Sequence, residues 1–262
     1  MSEKVNCKII GREWAAEDHY ILSLEDNLSE ASRPGQFAMI SPKTPTEPFF
    51  KRPYSIFRRI SEGRHGGKEL QFLIKVVGKG SRQTSELPLG SEIEVVAPLG
   101  NSFDLECSEQ LVVLVGGGIG MAPLFELAEH FTAKRKEVAV LLGARTCELL
   151  LVKGLYEEMG AEVLCSTDDG SEGMRGNVGQ LLEHYLQARK GRKIKVYSCG
   201  PDIMMRGVAE IAAKFDLPCQ LSLEAHMGCG FGVCLGCVIE DKNGDYRRVC
   251  KDGPVFDARK LY

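Results

Sequence analysis

Residues 4 to about 105 carry short runs rich in β-branched and aromatic residues. The pattern predicts strands over 5–14, 19–24, 36–40, 54–60, 70–77 and 92–97. Pro34-Gly35, Gly63, Gly66-Gly67, Gly78 and Gly90 supply the turns between them, and only 81–87 reads as helical. Six closely spaced strands predict a small closed antiparallel barrel. The pattern changes at Leu111-Val112-Val113-Leu114-Val115, a continuous apolar run of the kind expected for a strand buried on both faces. Helical periodicity then covers 121–134, 149–159, 178–188 and 201–215, alternating with buried-strand runs over 138–142, 161–165 and 194–198. That alternation predicts a doubly wound parallel sheet. The expected organisation is a β-barrel domain over 1–105, an α/β domain over 106–220 and a small segment over 221–262, with 216–223 as a link. The last forty residues are too few for a core of their own and call for a metal as a staple.

Composition narrows the classes. The 262 residues include 33 Lys and Arg against 36 Asp and Glu, a net charge of −3, which gives no reason to expect a nucleic-acid partner. No apolar run approaches 18 residues, so no membrane span is expected. The opening Met1-Ser2-Glu3-Lys4 lacks the apolar core of a signal peptide, and a reducing cytoplasm is the expected location. Six of the ten cysteines (Cys7, Cys107, Cys147, Cys165, Cys199 and Cys219) are scattered among apolar neighbours and read mostly as small buried hydrophobes.

The other four are not scattered. Cys229, Cys234 and Cys237 have the spacing C-x₄-C-x₂-C, and Cys250 follows. This is the plant-type [2Fe–2S] spacing. Gly228, Gly230, Gly232 and Gly236 interleave the cysteines and let a backbone wrap closely and aim N–H groups at sulfur. Structural zinc usually has two short knuckles and only one is present here, but zinc and unligated thiols remain alternatives at this point.

Other motifs are weaker. Arg52-Pro53-Tyr54-Ser55 offers a phosphate-binding guanidinium, a stacking face and a hydroxyl, or is an ordinary strand entry. Gly78-Lys79-Gly80-Ser81 opens the barrel's one helix, where backbone N–H groups can hold an anion; a hairpin turn is the alternative. Gly116-Gly117-Gly118-Ile119-Gly120 is a strand-to-helix turn that does not match G-x-G-x-x-G, since Met121 or Pro123 stands at the third glycine position. Thr167-Asp168-Asp169-Gly170 closes a strand with carboxylates that suit ribose hydroxyls and repel a 2′-phosphate, or is a solvated acidic turn. Cys199-Gly200-Pro201 ends the last buried strand, at the edge where ligands of open α/β sheets bind. The histidines form no metal spacing; His130 and His184 are expected to face solvent, and His226 to lie on the surface beside the cysteines. No residue is assigned a catalytic role.

In this order, Arg52-Pro53-Tyr54-Ser55, Gly80-Ser81, Pro98-Leu99-Gly100, the 116–123 loop and Cys199-Gly200-Pro201 resemble the ferredoxin–NAD(P)⁺ reductase superfamily over about residues 5–220. Leu223-Glu224, the four cysteines and Asp252-Gly253-Pro254-Val255-Phe256 make the whole chain similar to the electron-transfer subunits of class 1B, NAD-linked dihydroorotate dehydrogenases. The resemblance implies FAD on the barrel, held by Arg52, Pro53, Tyr54 and Ser55, lined by Leu73, Ile74 and Lys75, with Gly80 and Ser81 at its pyrophosphate. It implies NAD(H) on the α/β domain, at Gly116, Gly117, Gly118, Gly120, Asp168, Cys199 and Gly200, and a [2Fe–2S] cluster on Cys229, Cys234, Cys237 and Cys250. The implied partner is an FMN-containing dihydroorotate dehydrogenase catalytic subunit of pyrimidine biosynthesis, in a heterotetramer of two of each. Tyr262 is given no flavin-stacking role, because the cysteine segment intervenes. Similar subunits serve bifurcating ferredoxin–NADP⁺ oxidoreductases and sulfhydrogenases, which are the alternative assignments, along with a zinc-bound regulatory protein.

Overall fold

The computed structural model describes residues 2–43 and 50–262. They form two compact units. The first takes Met1–Ser102, Glu224–Ile239 and Arg247–Pro254; the second takes Phe103–Leu223, Glu240–Tyr246 and Val255–Tyr262. The C-terminal segment is thus shared between them and does not stand alone.

In the first unit, β1 (Glu3–Ala16), β2 (His19–Glu25), β3 (Phe37–Pro42), β4 (Arg52–Ser55), β5 (Arg58–Ile60), β6 (Glu69–Lys75) and β7 (Glu92–Leu99) form one antiparallel sheet in the order β4-β3-β7-β1-β2-β6-β5. The long β1 makes the sheet curl. Its first half pairs with β7 and its second half with β2, with an irregularity between Ile9 and Gly11. Side chains alternate across the strands, so Tyr20, Leu22 and Leu24 meet Leu70, Phe72, Ile74, Ile93 and Val95 in one core. The single strand expected over 54–60 is in fact two. Ile56 N–H bonds to Gln36 O (3.0 Å), beside β3, while Phe57 N–H bonds to Gln71 O (3.0 Å) on β6. The chain steps from one edge of the sheet to the other there and closes the barrel. The one helix of the barrel domain is α1 (Lys79–Glu86).

In chain order the remaining elements are β8 (Leu111–Gly117), α2 (Ala122–Ala133), β9 (Glu137–Ala144), α3 (Lys153–Glu158), β10 (Glu162–Thr167), β11 (Met174–Arg175), α4 (Val178–Gln187), β12 (Ile194–Cys199), α5 (Asp202–Lys214) and β13 (Cys219–Ser222). A hairpin of β14 (Val238–Glu240) and β15 (Tyr246–Arg248), then α6 (Val249–Asp252), β16 (Val255–Asp257) and α7 (Ala258–Leu261), complete the chain. The second unit's sheet runs β11-β10-β9-β8-β12-β13-β16, parallel except for β16. Every residue of β8 and β12 is buried.

Three expectations change. Residues 216–223 are not a simple link, because β13 lies within them and pairs with β12 and β16. The helix expected over 149–159 shrinks to α3, since a 3₁₀ turn at Cys147–Leu149 is capped by Leu150 and the left-handed backbone of Val152 (φ 53°) separates it from the helix that Val152 caps. His130 is half-buried with its ring edge-on to Phe131, while His184 and His226 are exposed.

Candidate functional site

The cysteine loop is fastened to the barrel by backbone geometry. Gly230 has φ 83°, and a Cβ there would lie 2.4 Å from Met39 Cγ on β3 and 3.4 Å from Leu99 on β7, so the loop passes the sheet at a distance only glycine permits. The turn at Gly100 is a second fastening. Asn101 N–H bonds to Gly253 O (2.7 Å), which joins Pro98-Leu99-Gly100 to Asp252-Gly253-Pro254. Val249 N–H donates to Cys237 O (3.1 Å), and Arg248 grips Asp252 through Nε and Nη2 (both 3.0 Å) across α6.

The four thiols gather as two pairs. Cys237 and Cys250 lie with their sulfurs 3.2 Å apart, and Cys250 N–H points at Cys237 Sγ (3.5 Å). Cys234 is within hydrogen-bonding reach of Cys229, whose sulfur also faces Val233 N–H (3.4 Å). Burial works against the Cys229 thiolate, but the N–H groups of Cys234, Phe231 and Val233 outweigh it and bring the thiol down to about 6. Burial and the adjoining Cys237 push Cys250 up to about 12. Gly228 and Gly236 leave open the space around Cys234 Sγ, 3.4 and 3.6 Å from where their Cβ atoms would sit. Two thiol pairs with N–H groups aimed at sulfur fit a two-iron centre, which takes four cysteines.

The residues expected to meet a flavin lie on adjoining parts of the same unit. Arg52, Pro53, Tyr54 and Ser55 make up the whole of β4, half-buried. Leu73 and Ile74 are buried on β6, and Lys75 is exposed at its end. Burial pushes Tyr54 up to about 12 against the favourable charge of Arg52. Gly80 and Ser81 stand in the first turn of α1. Ser81 Oγ accepts from Val77 N–H (3.0 Å) and Gly78 N–H (3.2 Å), so the hydroxyl holds the turn closed while helix geometry leaves the first-turn N–H groups without intrahelical acceptors. Tyr20 O–H donates to Ser81 O (3.2 Å) and steadies the same turn from inside the barrel.

In the second unit, Gly116 and Gly117 end β8, and Gly118 (φ 54°) starts the turn into α2. Gly120 passes so close to β12 that a Cβ would lie 2.3 Å from Cys199 O. Cys199 itself is 1% exposed. Asp168 and Asp169 follow β10 and are both exposed, and Asp169 accepts from Ser171 N–H (3.0 Å) and Ser171 Oγ (2.7 Å) within its own loop. Two arginines that sequence reading missed flank this acidic turn. Arg175 pairs with Thr167 from β11, and Arg145 O accepts from Asp169 N–H (3.2 Å). Neither stands immediately after β10 in sequence, so only the backbone pairing of the folded chain reveals them. Tyr262 lies in the second unit, its hydroxyl donating to Asp202 Oδ1 (2.9 Å) and its ring under the Arg206 guanidinium (4.4 Å).

Residues 224–262 match the iron-sulfur cluster binding domain of dihydroorotate dehydrogenase B, and residues 114–210 match the oxidoreductase NAD-binding domain. The chain is 34% identical to the dihydroorotate dehydrogenase B (NAD(+)) electron transfer subunit of Desulforamulus reducens, over 98% of both chains. It is 36% identical to that of Caldanaerobacter subterraneus subsp. tengcongensis, over 100% of this chain and 99% of the relative. The chain belongs to this family of electron transfer subunits. Family members thus align over barrel, α/β domain and cysteine segment together. Among solved structures, the NADH-dependent reduced ferredoxin-NADP oxidoreductase superposes with a TM-score of 0.84 at 29% identity, over 98% of this chain and 89% of that one. The ferredoxin reductase of carbazole 1,9a-dioxygenase shares the fold, with a TM-score of 0.70 at 21% identity over 83% of this chain and 67% of that one.

Proposed function

We propose that this chain is the electron-transfer subunit that exchanges electrons between NAD(H) and an FMN-containing dihydroorotate dehydrogenase catalytic subunit, in pyrimidine biosynthesis. The observation that carries the reading is the full-length likeness to electron transfer subunits in a chain whose four C-terminal cysteines gather in two pairs. When bound, FAD and the [2Fe–2S] cluster supply the redox chemistry, two-electron exchange with a nicotinamide and one-electron relay onward. The protein's own share is to hold and to tune. Cys229, Cys234, Cys237 and Cys250 hold the cluster, and the N–H groups at Cys229 and Cys237 stabilise charge on sulfur. Arg52 neutralises flavin phosphate, Tyr54 and Ser55 orient it, Leu73, Ile74 and Lys75 line it, and Gly80 and Ser81 present first-turn N–H groups to the pyrophosphate. Gly116, Gly117, Gly118 and Gly120, with Cys199 and Gly200, keep the β8 and β12 ends open to the NAD(H) backbone, and Asp168 receives the ribose hydroxyls. A heterotetramer of two of each subunit, in the cytoplasm, completes the proposal. No helix among the described residues is long and apolar enough to cross a membrane.

The test is co-purification with an FMN-containing dihydroorotate dehydrogenase chain, read by absorption spectrum, iron content and NADH-dependent reduction of orotate. A coloured complex that reduces orotate is expected. A colourless zinc protein, or a coloured chain that assembles only with a hydrogenase-type partner, would defeat the reading.

A further inference from the structure

The Gly232 peptide is the joint between the two halves of the cysteine segment. It belongs to the loop that carries Cys229, Cys234 and Cys237, yet it meets Arg248, Cys250 and Lys251, from α6 and its N-cap. Burial raises the Cys250 thiol, and the Gly232 N–H, pointing at its sulfur, opposes that rise. The Gly232 carbonyl faces Arg248 Nη1 at 3.4 Å. Gly232 has φ 86°, and a Cβ on it would lie 2.7 Å from Lys251 Cδ, so this close approach of α6 suits glycine.

Arg248 is fixed from its other side. Asp252 accepts from Arg248 N–H (2.8 Å), Nε (3.0 Å) and Nη2 (3.0 Å). That fork occupies one edge of the guanidinium and leaves Nη1 turned to the loop. The ion pair is therefore oriented, with its cationic edge toward Gly232. The guanidinium is held charged first by its hydrogen bonds to Asp252, and then by Coulombic attraction to Asp252 and to the Cys250 and Cys237 sulfurs. Its side chain is 32% exposed, so water screens the charge only in part. A guanidinium carries only donors and cannot itself be a metal ligand.

These contacts bear on the electron rather than on the ligands. A two-iron centre on cysteine thiolates gains one negative charge when one electron arrives, and no bond forms or breaks. A fixed cation and N–H groups at sulfur favour the more negative state and so raise the reduction potential. We propose that Arg248 is a positioning residue for the iron–sulfur centre that raises its reduction potential, by its own charge and by holding the Gly232 N–H on Cys250 Sγ. Asp252 opposes it in charge while fixing its place. The inference rests on the [2Fe–2S] reading of the four cysteines, with the flavin as the electron donor.

The experiment is a redox titration of the cofactor-loaded full chain, poised with dithionite and read by the paramagnetic signal of the reduced cluster. Iron content is measured on the same samples. Arg248→Gln removes the charge and keeps an amide donor. At a fixed poise it should lower the ratio of reduced to oxidised cluster about tenfold, ~59 mV for one electron. Arg248→Lys keeps the charge and should stay within about threefold of the parent ratio. Asp252→Asn keeps the guanidinium and an oxygen acceptor but removes the opposing charge, so it should move the ratio the other way, up by about threefold or more. A merely structural clamp gives no such reversal of sign, because both Arg248→Gln and Asp252→Asn would loosen α6. Shifts of one sign in those two variants, no shift in either, or loss of iron from all three would overturn the proposal. If Arg248→Gln alone loses its iron, Asp252→Asn decides: a rise upholds the proposal, and a fall or no change overturns it. A parent chain that binds no iron defeats the cluster reading, and the proposal with it, a result distinct from the others.

Discussion

At the scale of single residues, the cysteine pairs make separable predictions. Cys234 is exposed at the loop tip with glycines around its sulfur, so Cys234→Ala disturbs little packing. Iron content and visible cluster absorption should be lost in this variant while flavin stays bound, and full iron content would remove Cys234 from the ligand set. Nucleotide choice is the second residue-scale question. Asp168 is expected to make NADH the better substrate, by accepting ribose hydroxyls and repelling a 2′-phosphate. The structure adds that the backbones of Arg145 and Arg175 lie at the neighbouring strand ends, so two basic residues share the strand edge with this one carboxylate. Asp168→Asn should therefore raise kcat/KM for NADPH by about tenfold, the order expected from removing one like-charge contact at a partly exposed site. Asp169→Asn should instead loosen the loop that Ser171 ties to Cys147 N–H (2.8 Å) without favouring NADPH. Steady-state kinetics with both nucleotides decides between the two carboxylates.

At the scale of elements, the cysteine loop is a segment whose fold is dictated from outside. It contains only short strands and the four-residue α6, and its path is set by Gly230 against Met39 and Leu99 and by the Asn101–Gly253 bond. Gly230→Val combines a left-handed backbone with a β-branched side chain driven into β3. A loss of about 2 kcal/mol or more is expected, since strain and overpacking each cost on the order of 1–3 kcal/mol. Thermal unfolding followed by iron content should show the loop released before the barrel melts; an unshifted midpoint with full iron would mean that the loop is not anchored there. The elements legible in the sequence were those with their own periodicity, such as the alternating strands of the barrel and the apolar β8 and β12. Those that were not legible depend on neighbours. β13 is four residues long and becomes a strand by lying between β12 and β16, and the break at Val152 has no glycine or proline to announce it.

At the scale of the whole molecule, the question is how the chain meets its catalytic partner. Phe231, Val233 and Leu235 are 55%, 74% and 60% exposed on the cysteine loop, and Leu235 is held with φ 60° between Cys234 and Gly236. A strained backbone that presents apolar side chains beside the thiols is a feature of interaction surfaces, and a relay by single electrons requires its acceptor nearby. Phe231→Asp or Leu235→Asp should weaken assembly with the FMN subunit in gel filtration while leaving NADH-driven bleaching of the flavin nearly unchanged in stopped flow. Normal assembly by both variants would move the docking face elsewhere, and lost bleaching would mean that the loop supports the reductase instead.

The sequence by itself determined the two-part architecture, since strand alternation and buried apolar runs are local patterns that survive without knowledge of their partners. It also determined the candidate ligands of the iron centre, because C-x₄-C-x₂-C with glycines is a local instruction about backbone and sulfur. Tertiary structure decided how the cysteines pair, for Cys250 reaches Cys237 only through α6 and its fastening to the barrel turn. It brought Arg175 and Arg145 to the acidic turn. Residues from separate strands and helices share no sequence period, and only the packing of one element on another fixes the distance between them.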